Sequence, residues 1–137
     1  MVLVIDGRYG ARFDWPSFKL VIKEKVSPTH AEYIFAHDRR KRMLVFVREP
    51  LFAHYDSYRT LVKKHNGVEA AVRAALEPAL PAHVDYDVMP FLAEVKTSTP
   101  IPWIRPFRDV TDIKSALQHR FSRSGSGDEL GSRRLSS

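Results

Sequence analysis

Residues 27 to 47, SPTHAEYIFAHDRRKRMLVFV, decide the fold of this chain. Ser27 is a good helix N-cap, and Pro28 suits the first helical position because its missing N–H would have no partner there. Apolar residues recur every three or four positions from Ala31 onward, as on one face of a helix. The continuous apolar run Met43–Val47 is typical of a strand buried on both faces. The stretch therefore predicts a helix that leads into a buried strand, which is half of a βαβ unit.

The rest of the chain supplies further elements around this unit. Val2–Ile5 is a second apolar run, and we expect it to form a buried strand that pairs in parallel with Met43–Val47. Periodicity and capping residues predict helices over residues 51–64, 68–76 and 112–121, an edge strand over residues 103–107 and possible strands over residues 18–22 and 84–88. Residues 91–95 could be a strand or a helical turn. This order predicts an α/β domain with a mainly parallel sheet.

Composition limits the class of protein. The 137 residues, 44% hydrophobic and 28% charged, fit a single soluble domain, which we place at residues 1–121. Residues 122–137 are rich in Ser, Gly and Arg, and they predict a disordered tail. The absence of cysteine excludes disulfides and thiol chemistry and suits a cytoplasmic location. No apolar run approaches the length of about 18 residues that a membrane span needs, so no membrane partner is expected.

The segment Asp6-Gly-Arg-Tyr-Gly10 follows the first predicted strand at its C-terminal end, where open α/β sheets bind ligands. Gly7 and Gly10 would let the backbone approach a ligand closely, and Arg8 could pair with a phosphate. Two glycines in such a turn are more often only a turn, and the pattern is not a known phosphate-binding motif. The residues alone leave both interpretations open.

Glu32 lies in the first turns of the predicted helix over residues 28–38. A carboxylate there could stabilise or attack an anomeric carbon, as in enzymes that cleave glycosidic bonds. An acid near a helix N-terminus can also simply complement the helix dipole. Glu32 is thus a candidate catalytic residue with a structural alternative.

Other clusters point less clearly to chemistry. His30 and His37 are seven residues apart, a spacing unlike that of a zinc-binding helix, so scattered surface histidines are expected and no metal or other cofactor. The basic run Arg39–Arg42 and the net charge of +6 would suit nucleic acid. A solvated helix end explains the basic run as well, and no DNA- or RNA-binding motif is present. Nucleic acid is therefore not an expected partner.

Two motifs resemble a TIR-like domain of unknown function that occurs in multidomain proteins. The residues that match are Gly7, Arg8, Tyr9 and Gly10, which align with the last four positions of G-x-R-Y-G; Ser27, Thr29, Glu32, Tyr33 and Ala36 in S-x-T-x-x-E-Y-x-x-A; and the apolar strand Met43–Val47. The closing segment Trp103–Phe121 is also similar. The resemblance implies a flavodoxin- or TIR-like three-layer sandwich that lacks its first strand and helix, because the family pattern has both before the G-x-R-Y-G strand.

The wider relatives, TIR domains and nucleoside deoxyribosyltransferases, act on the N-glycosidic bond of NAD or a nucleoside through a glutamate at the place of Glu32. The resemblance therefore implies a nucleotide-binding signalling or defence module, a possible hydrolase, with Glu32 as its catalytic residue. Gly7, Arg8, Tyr9, Gly10, Ser27 and Thr29 would bind the nucleotide. A non-catalytic protein-interaction module is the alternative. In either case the exposed sheet edge at Val2–Ile5 would favour a protein partner or self-association.

Overall fold

The computed structural model describes the backbone of residues 1–127 and the side chains of residues 1–119. The strands are β1 (Val2–Ile5), β2 (Leu44–Arg48) and β3 (Trp103–Phe107); the α-helices are α1 (Pro28–Asp38), α2 (Leu51–Lys64), α3 (Glu69–Leu76), α4 (Val88–Lys96) and α5 (Val110–Gly127); short 3₁₀ helices cover Pro16–Phe18 and Glu77–Ala79. The chain divides into two compact units, Met1–Pro106 and the segment from Phe107 onward. The architecture is α/β, as the sequence predicts.

The βαβ unit is confirmed. Strands β1 and β2 pair in parallel, with Val2 opposite Leu44 and Ile5 opposite Val47. Helix α1 connects them, and its first free N–H groups are capped by Ser27, whose Oγ accepts a hydrogen bond from the His30 N–H at 3.3 Å. The strand order in the sheet is β1-β2-β3, so β1 lies at one edge.

The two paired strands are buried to different extents. All apolar residues of β2 are buried, as expected for a strand covered on both faces. In β1 only Leu3 and Ile5 are buried, whereas the side chains of Val2 and Val4 are 45% and 43% exposed. Leu3 and Ile5 belong to the main core, which they form with β2 and helices α2 to α4. The expectation that β1 would be fully buried is therefore wrong for one of its faces.

Two predicted strands do not form. Of residues 18–22, Phe18 ends the short helix Pro16–Phe18 and residues 19–21 form a turn. The Phe18 carbonyl accepts hydrogen bonds from the N–H groups of Val21 and Ile22 at 3.0 and 2.8 Å. Leu20 is 92% exposed, as a turn residue can be but a core strand residue cannot. Local hydrogen bonding thus replaces the strand pairing that the apolar residues suggested.

Residues 84–96 form turns and a helix instead of strands. The alternating residues Val84, Tyr86 and Val88 are all buried, but Val84 and Tyr86 lie in the loop and turn that lead into α4, and Val88 is its first residue. Pro90 is the third residue of α4. Proline is tolerated in a first helical turn because N–H groups there have no intrahelical acceptor, so Pro90 does not interrupt the helix.

The unit from Phe107 onward contains the capped start of α5. Asp109 accepts a hydrogen bond from the Asp112 N–H at 3.1 Å, and the Asp112 carboxylate accepts one from the Arg108 N–H at 2.7 Å. Asp109 thus caps the start of α5. Helix α5 extends beyond the predicted end at residue 121 as far as Gly127, and residues 128–137 of the predicted tail lie outside the described part of the chain.

Candidate functional site

The turn after β1 is built tightly against residues 83–85. Gly7 is buried, and a Cβ added to it would lie 2.4 Å from the His83 carbonyl oxygen, so no larger residue fits without a backbone shift. The Gly7 carbonyl also accepts a hydrogen bond from the Asp85 N–H at 2.7 Å. Glycine at position 7 therefore permits a close approach between two backbone segments.

Two donors of this turn converge on one carboxylate. Arg8 Nη1 lies 3.1 Å from Asp85 Oδ1, and the Tyr9 N–H donates to Asp85 Oδ2 at 2.9 Å. A guanidinium and a backbone N–H are the donors that commonly bind phosphate or carboxylate groups. The turn is therefore an anion-binding arrangement in which the bound anion is the side chain of Asp85.

The turn meets the N-terminus of α1 at Gly10 and Ser27. Gly10 has a φ angle of +96°, which favours glycine, and a Cβ added there would lie 3.5 Å from Ser27 Cβ. Ser27 is 1% exposed, and Thr29 lies half-buried in the first turn of α1. The two matched motifs thus come together here.

A chain of hydrogen bonds joins this turn to α1 and α4. The Ser27 N–H donates to Tyr9 Oη at 3.4 Å, Tyr9 Oη lies 2.5 Å from His30 Nδ1, and His30 Nε2 lies 2.9 Å from Glu94 Oε1. Burial raises the pKa of the Tyr9 hydroxyl, which is therefore a neutral donor. One assignment satisfies every contact: Tyr9 donates to Nδ1, and the Nε2–H of His30 donates to the Glu94 carboxylate.

Aromatic packing holds His30, the residue at the centre of this series of hydrogen bonds, in place. The ring of Phe91 stacks on His30 with centroids 4.2 Å apart, and it meets the rings of Tyr9 and Tyr33 edge-on. Arg12 lies over the ring of Tyr9, with its guanidinium carbon 4.6 Å from the ring centroid. The imidazole of His30 is only 12% exposed. His30 is therefore a positioned, mostly buried group, which corrects the expectation of a surface histidine.

Glu32 is placed differently from these residues. It lies two positions after His30, about 200° around α1, so it does not face α4. Its side chain is exposed, and it makes no hydrogen bond or ion pair with the side chains of residues 1–119. The structure therefore brings Gly7, Arg8, Tyr9, Gly10 and Ser27 together but leaves Glu32 on another face of the helix.

A second ion pair lies at the end of the two parallel strands. Arg48 Nε donates to Asp6 Oδ1 at 2.6 Å and Arg48 Nη2 to Asp6 Oδ2 at 3.0 Å. These hydrogen bonds from Arg48 lower the pKa of the Asp6 carboxyl below its usual value. The pair joins the ends of β1 and β2 beside the turn.

Three contributors to this region were not predicted from the sequence: Asp85, Phe91 and Glu94. Asp85 lies in a segment that was predicted as a possible strand, and Phe91 and Glu94 lie in residues 91–95, which could have been a strand or a helical turn. The spacing of Val88, Phe91, Leu92 and Val95 is helical and could have indicated α4. No sequence signal could have indicated the pairing of Glu94 with His30, because 64 residues separate them.

No group of three or more His, Cys, Asp or Glu side chains within the described residues could hold a metal ion. Likewise, none of the helices in the described part of the chain is long and apolar enough to cross a membrane.

Comparison with known protein families gives a match over most of the chain. The family model described as "Domain of unknown function (DUF4062)" matches residues 1–122. Neither the curated proteins nor the solved structures contain a match to this chain.

Proposed function

The chain belongs to the DUF4062 family of domains of unknown function, and we propose that it is a nucleotide-binding, TIR-like signalling or defence module. The nucleotide phosphate would bind at the turn Gly7–Gly10. One observation carries this proposal: the Arg8 guanidinium and the Tyr9 N–H already converge on a single carboxylate, at 3.1 and 2.9 Å. The same two donors suit a phosphate oxygen.

The position of the turn supports this proposal. It follows the C-terminal end of β1, and ligands of open α/β sheets bind outside the C-terminal ends of the strands. Gly10 brings the turn beside Ser27 at the N-terminus of α1, where the helix dipole favours an anion. Asp85 would have to move aside for the phosphate, and its side chain is 38% exposed.

Glu32 would supply the chemistry if the module is a hydrolase. The bond from ribosyl C1′ to the base nitrogen would break with its electron pair leaving on the base, and water would add to C1′ and release a proton. The carboxylate of Glu32 would stabilise the ribosyl cation between these steps. The exposed side chain of Glu32 is accessible to a substrate, and its place in the matched motif is the reason for assigning it this role.

The binding part is tested by titrating ADP-ribose into the chain and into Arg8→Ala by calorimetry. Loss of a charge-assisted hydrogen bond should weaken binding about tenfold. Arg59→Ala is the matched control, because Arg59 is an exposed arginine of α2 away from the turn. Equal affinity in the chain and in Arg8→Ala would contradict the phosphate site.

The catalytic part is tested by nicotinamide release from NAD, measured by chromatography. Glu32→Gln keeps the side-chain shape but removes the charge, so it should reduce release by orders of magnitude while circular dichroism shows an unchanged fold. Equal activity in Glu32→Gln and the unmodified chain would refute the catalytic role. Absence of release from both proteins would favour a non-catalytic module.

A non-catalytic protein-interaction module is the second candidate, and the exposure of β1 favours it. This edge strand carries the exposed side chains of Val2 and Val4 and no charged residue. Such an edge is a template for pairing with another strand. Light scattering at increasing protein concentration tests the candidate: a growing apparent mass supports it, and a constant monomer mass argues against pairing with a second copy.

A further inference from the structure

A groove of about 430 Å³ lies between the last turns of α1 and α4, apart from the turn Gly7–Gly10. Its volume is within the range of small-molecule sites. The side chains that line it are Val21, Tyr33, Ile34, His37, Asp38, Glu94, Thr97 and Ser98.

Two helix C-termini open on this groove. Helix α1 ends at Asp38, and α4 ends at Lys96 just before the lining residues Thr97 and Ser98. The C-terminus of a helix carries a partial negative charge, and the two ends add their fields where they meet. This charge favours a cation in the groove.

The carboxylate of Glu94 is held in a fixed orientation at the groove. Its Oε1 accepts from His30 Nε2 at 2.9 Å, and His30 is fixed in turn by Tyr9 Oη and by stacking on Phe91. The side chain of Glu94 is 45% exposed. A buried imidazole thus orients a carboxylate that remains open to a ligand, which is how supporting hydrogen bonds prepare binding groups.

No lysine or arginine is among the residues that line the groove, although the chain carries a net charge of +6. Four basic residues, at positions 39 to 42, follow α1, and Lys96 ends α4; of these, Arg39 and Lys96 are directed to rings outside the groove. Arg39 lies 4.2 Å from the centroid of the Phe35 ring, and the Lys96 ammonium lies 4.9 Å from that of Tyr55. The charge of Glu94 and Asp38 is therefore not neutralised by a lysine or arginine of the lining.

We propose that this groove binds a small organic cation, a primary amine or a guanidinium with a short aliphatic chain. The cationic group contacts the Glu94 carboxylate, with Asp38 and the two helix ends adding to the negative field. The aliphatic chain lies against Val21 and Ile34. A metal ion is a poorer fit, because no group of three or more suitable ligand side chains is present within the described residues.

The test titrates agmatine, butylamine and neutral 1-butanol into the isotopically labelled chain and follows the backbone amide signals by NMR. We expect the two cations, and not butanol, to shift the signals of His37, Thr97 and Ser98. Glu94→Gln retains an oxygen acceptor for His30 but loses the charge, so it should weaken agmatine binding about tenfold. Asp56→Asn, an exposed acid of α2, is the control and should leave binding unchanged.

Agmatine binding of equal strength in Glu94→Gln and the unmodified chain would overturn the proposal. Shifts confined to amides outside the groove, equal shifts with butanol, or no shifts at millimolar agmatine would overturn it as well. The amide spectrum of Glu94→Gln without ligand shows whether the variant is folded. If it is not, Asp38→Asn serves instead and should weaken binding by a smaller factor.

Discussion

The Asp85 carboxylate accepts a hydrogen bond from the Tyr9 backbone N–H at 2.9 Å, and its other oxygen lies 3.1 Å from the Arg8 guanidinium. The backbone of Asp85 also contacts the turn Gly7–Gly10, because the Asp85 N–H donates a hydrogen bond to the Gly7 carbonyl at 2.7 Å. The chain thus supplies its own anion to the donors that we propose for a phosphate. Any phosphate that binds there must compete with this side chain.

Asp85→Asn should therefore strengthen nucleotide binding. Asparagine keeps an oxygen acceptor for the Tyr9 N–H but removes the negative charge that competes for Arg8. Because the Arg8–Asp85 pair is largely exposed, the gain in ADP-ribose affinity should be modest, about fivefold at most. Calorimetric titration measures the gain, and Asp56→Asn should show none. Weaker binding in Asp85→Asn would mean that the carboxylate builds the site instead of competing for it.

Gly7→Ala should strongly destabilise the fold. The new Cβ would lie 2.4 Å from the His83 carbonyl oxygen, so one backbone segment must move. We expect the free energy of unfolding in urea to fall by about 3 kcal/mol or more. Gly67→Ala is the matched control. The φ angle of +75° at Gly67 disfavours alanine, but no atom lies within 4 Å of the added Cβ, so we expect the free energy of unfolding to fall by about 1–2 kcal/mol. Equal losses for both variants would show that the close approach at Gly7 is unimportant.

The sequence predicted those parts of the fold whose signals are local. The Ser27 cap, the helical apolar spacing and the continuous run Met43–Val47 lie within 21 consecutive residues, and α1 and β2 formed as expected. Residues 84–88 were misinterpreted because alternating burial also occurs in turns packed on a core. Pro90 did not prevent α4, because it lies in the first helical turn, where proline is compatible with a helix.

The candidate site was predictable only in part, because its contacts join distant segments. The motifs indicated the turn Gly7–Gly10 and the start of α1, and the structure brings both together at Gly10 and Ser27. The Asp85 carboxylate reaches Tyr9 across 76 residues, and Glu94 reaches His30 across 64. Pairings of this kind depend on how helices pack, which periodicity and capping do not determine.

Tyr9→Phe should cost more stability than the same change elsewhere. The Tyr9 hydroxyl contacts both the Ser27 N–H and His30 Nδ1, and its removal leaves two mostly buried groups without this partner. We expect a loss of about 1–3 kcal/mol in the free energy of unfolding. Tyr55 is also buried, but its hydroxyl makes no hydrogen bond with the described residues of the chain, so Tyr55→Phe should cost little. A similar loss in both variants would show that the hydrogen-bond chain adds no stability.

The Asp6–Arg48 pair should make stability depend on pH in the acidic range. Because the folded state lowers the pKa of the Asp6 carboxyl, the pair stabilises the fold above the ordinary aspartate pKa and loses this effect as the pH falls through the lowered value. The side chains are 36% and 51% exposed, so the contribution should be about 0.2–1 kcal/mol. Thermal unfolding should show Asp6→Asn less stable than the unmodified chain at about pH 7, with the difference vanishing at about pH 2. A difference that grew on acidification would contradict this sign.

The exposed edge of β1 should make the chain self-associate. Val2 and Val4 are 45% and 43% exposed on one face of an edge strand, and an antiparallel pairing of β1 with the β1 of a second copy would be self-complementary, with Val2 of each copy near Val4 of the other. Val4→Lys places a charge at this edge, as natural sheets do to prevent pairing. Light scattering at micromolar concentrations should show an association for the unmodified chain that weakens by about tenfold or more in Val4→Lys.

Leu20→Lys is the control, because Leu20 is 92% exposed but lies in a turn outside the sheet. If Leu20→Lys dissociates the assembly and Val4→Lys does not, another surface holds the copies together.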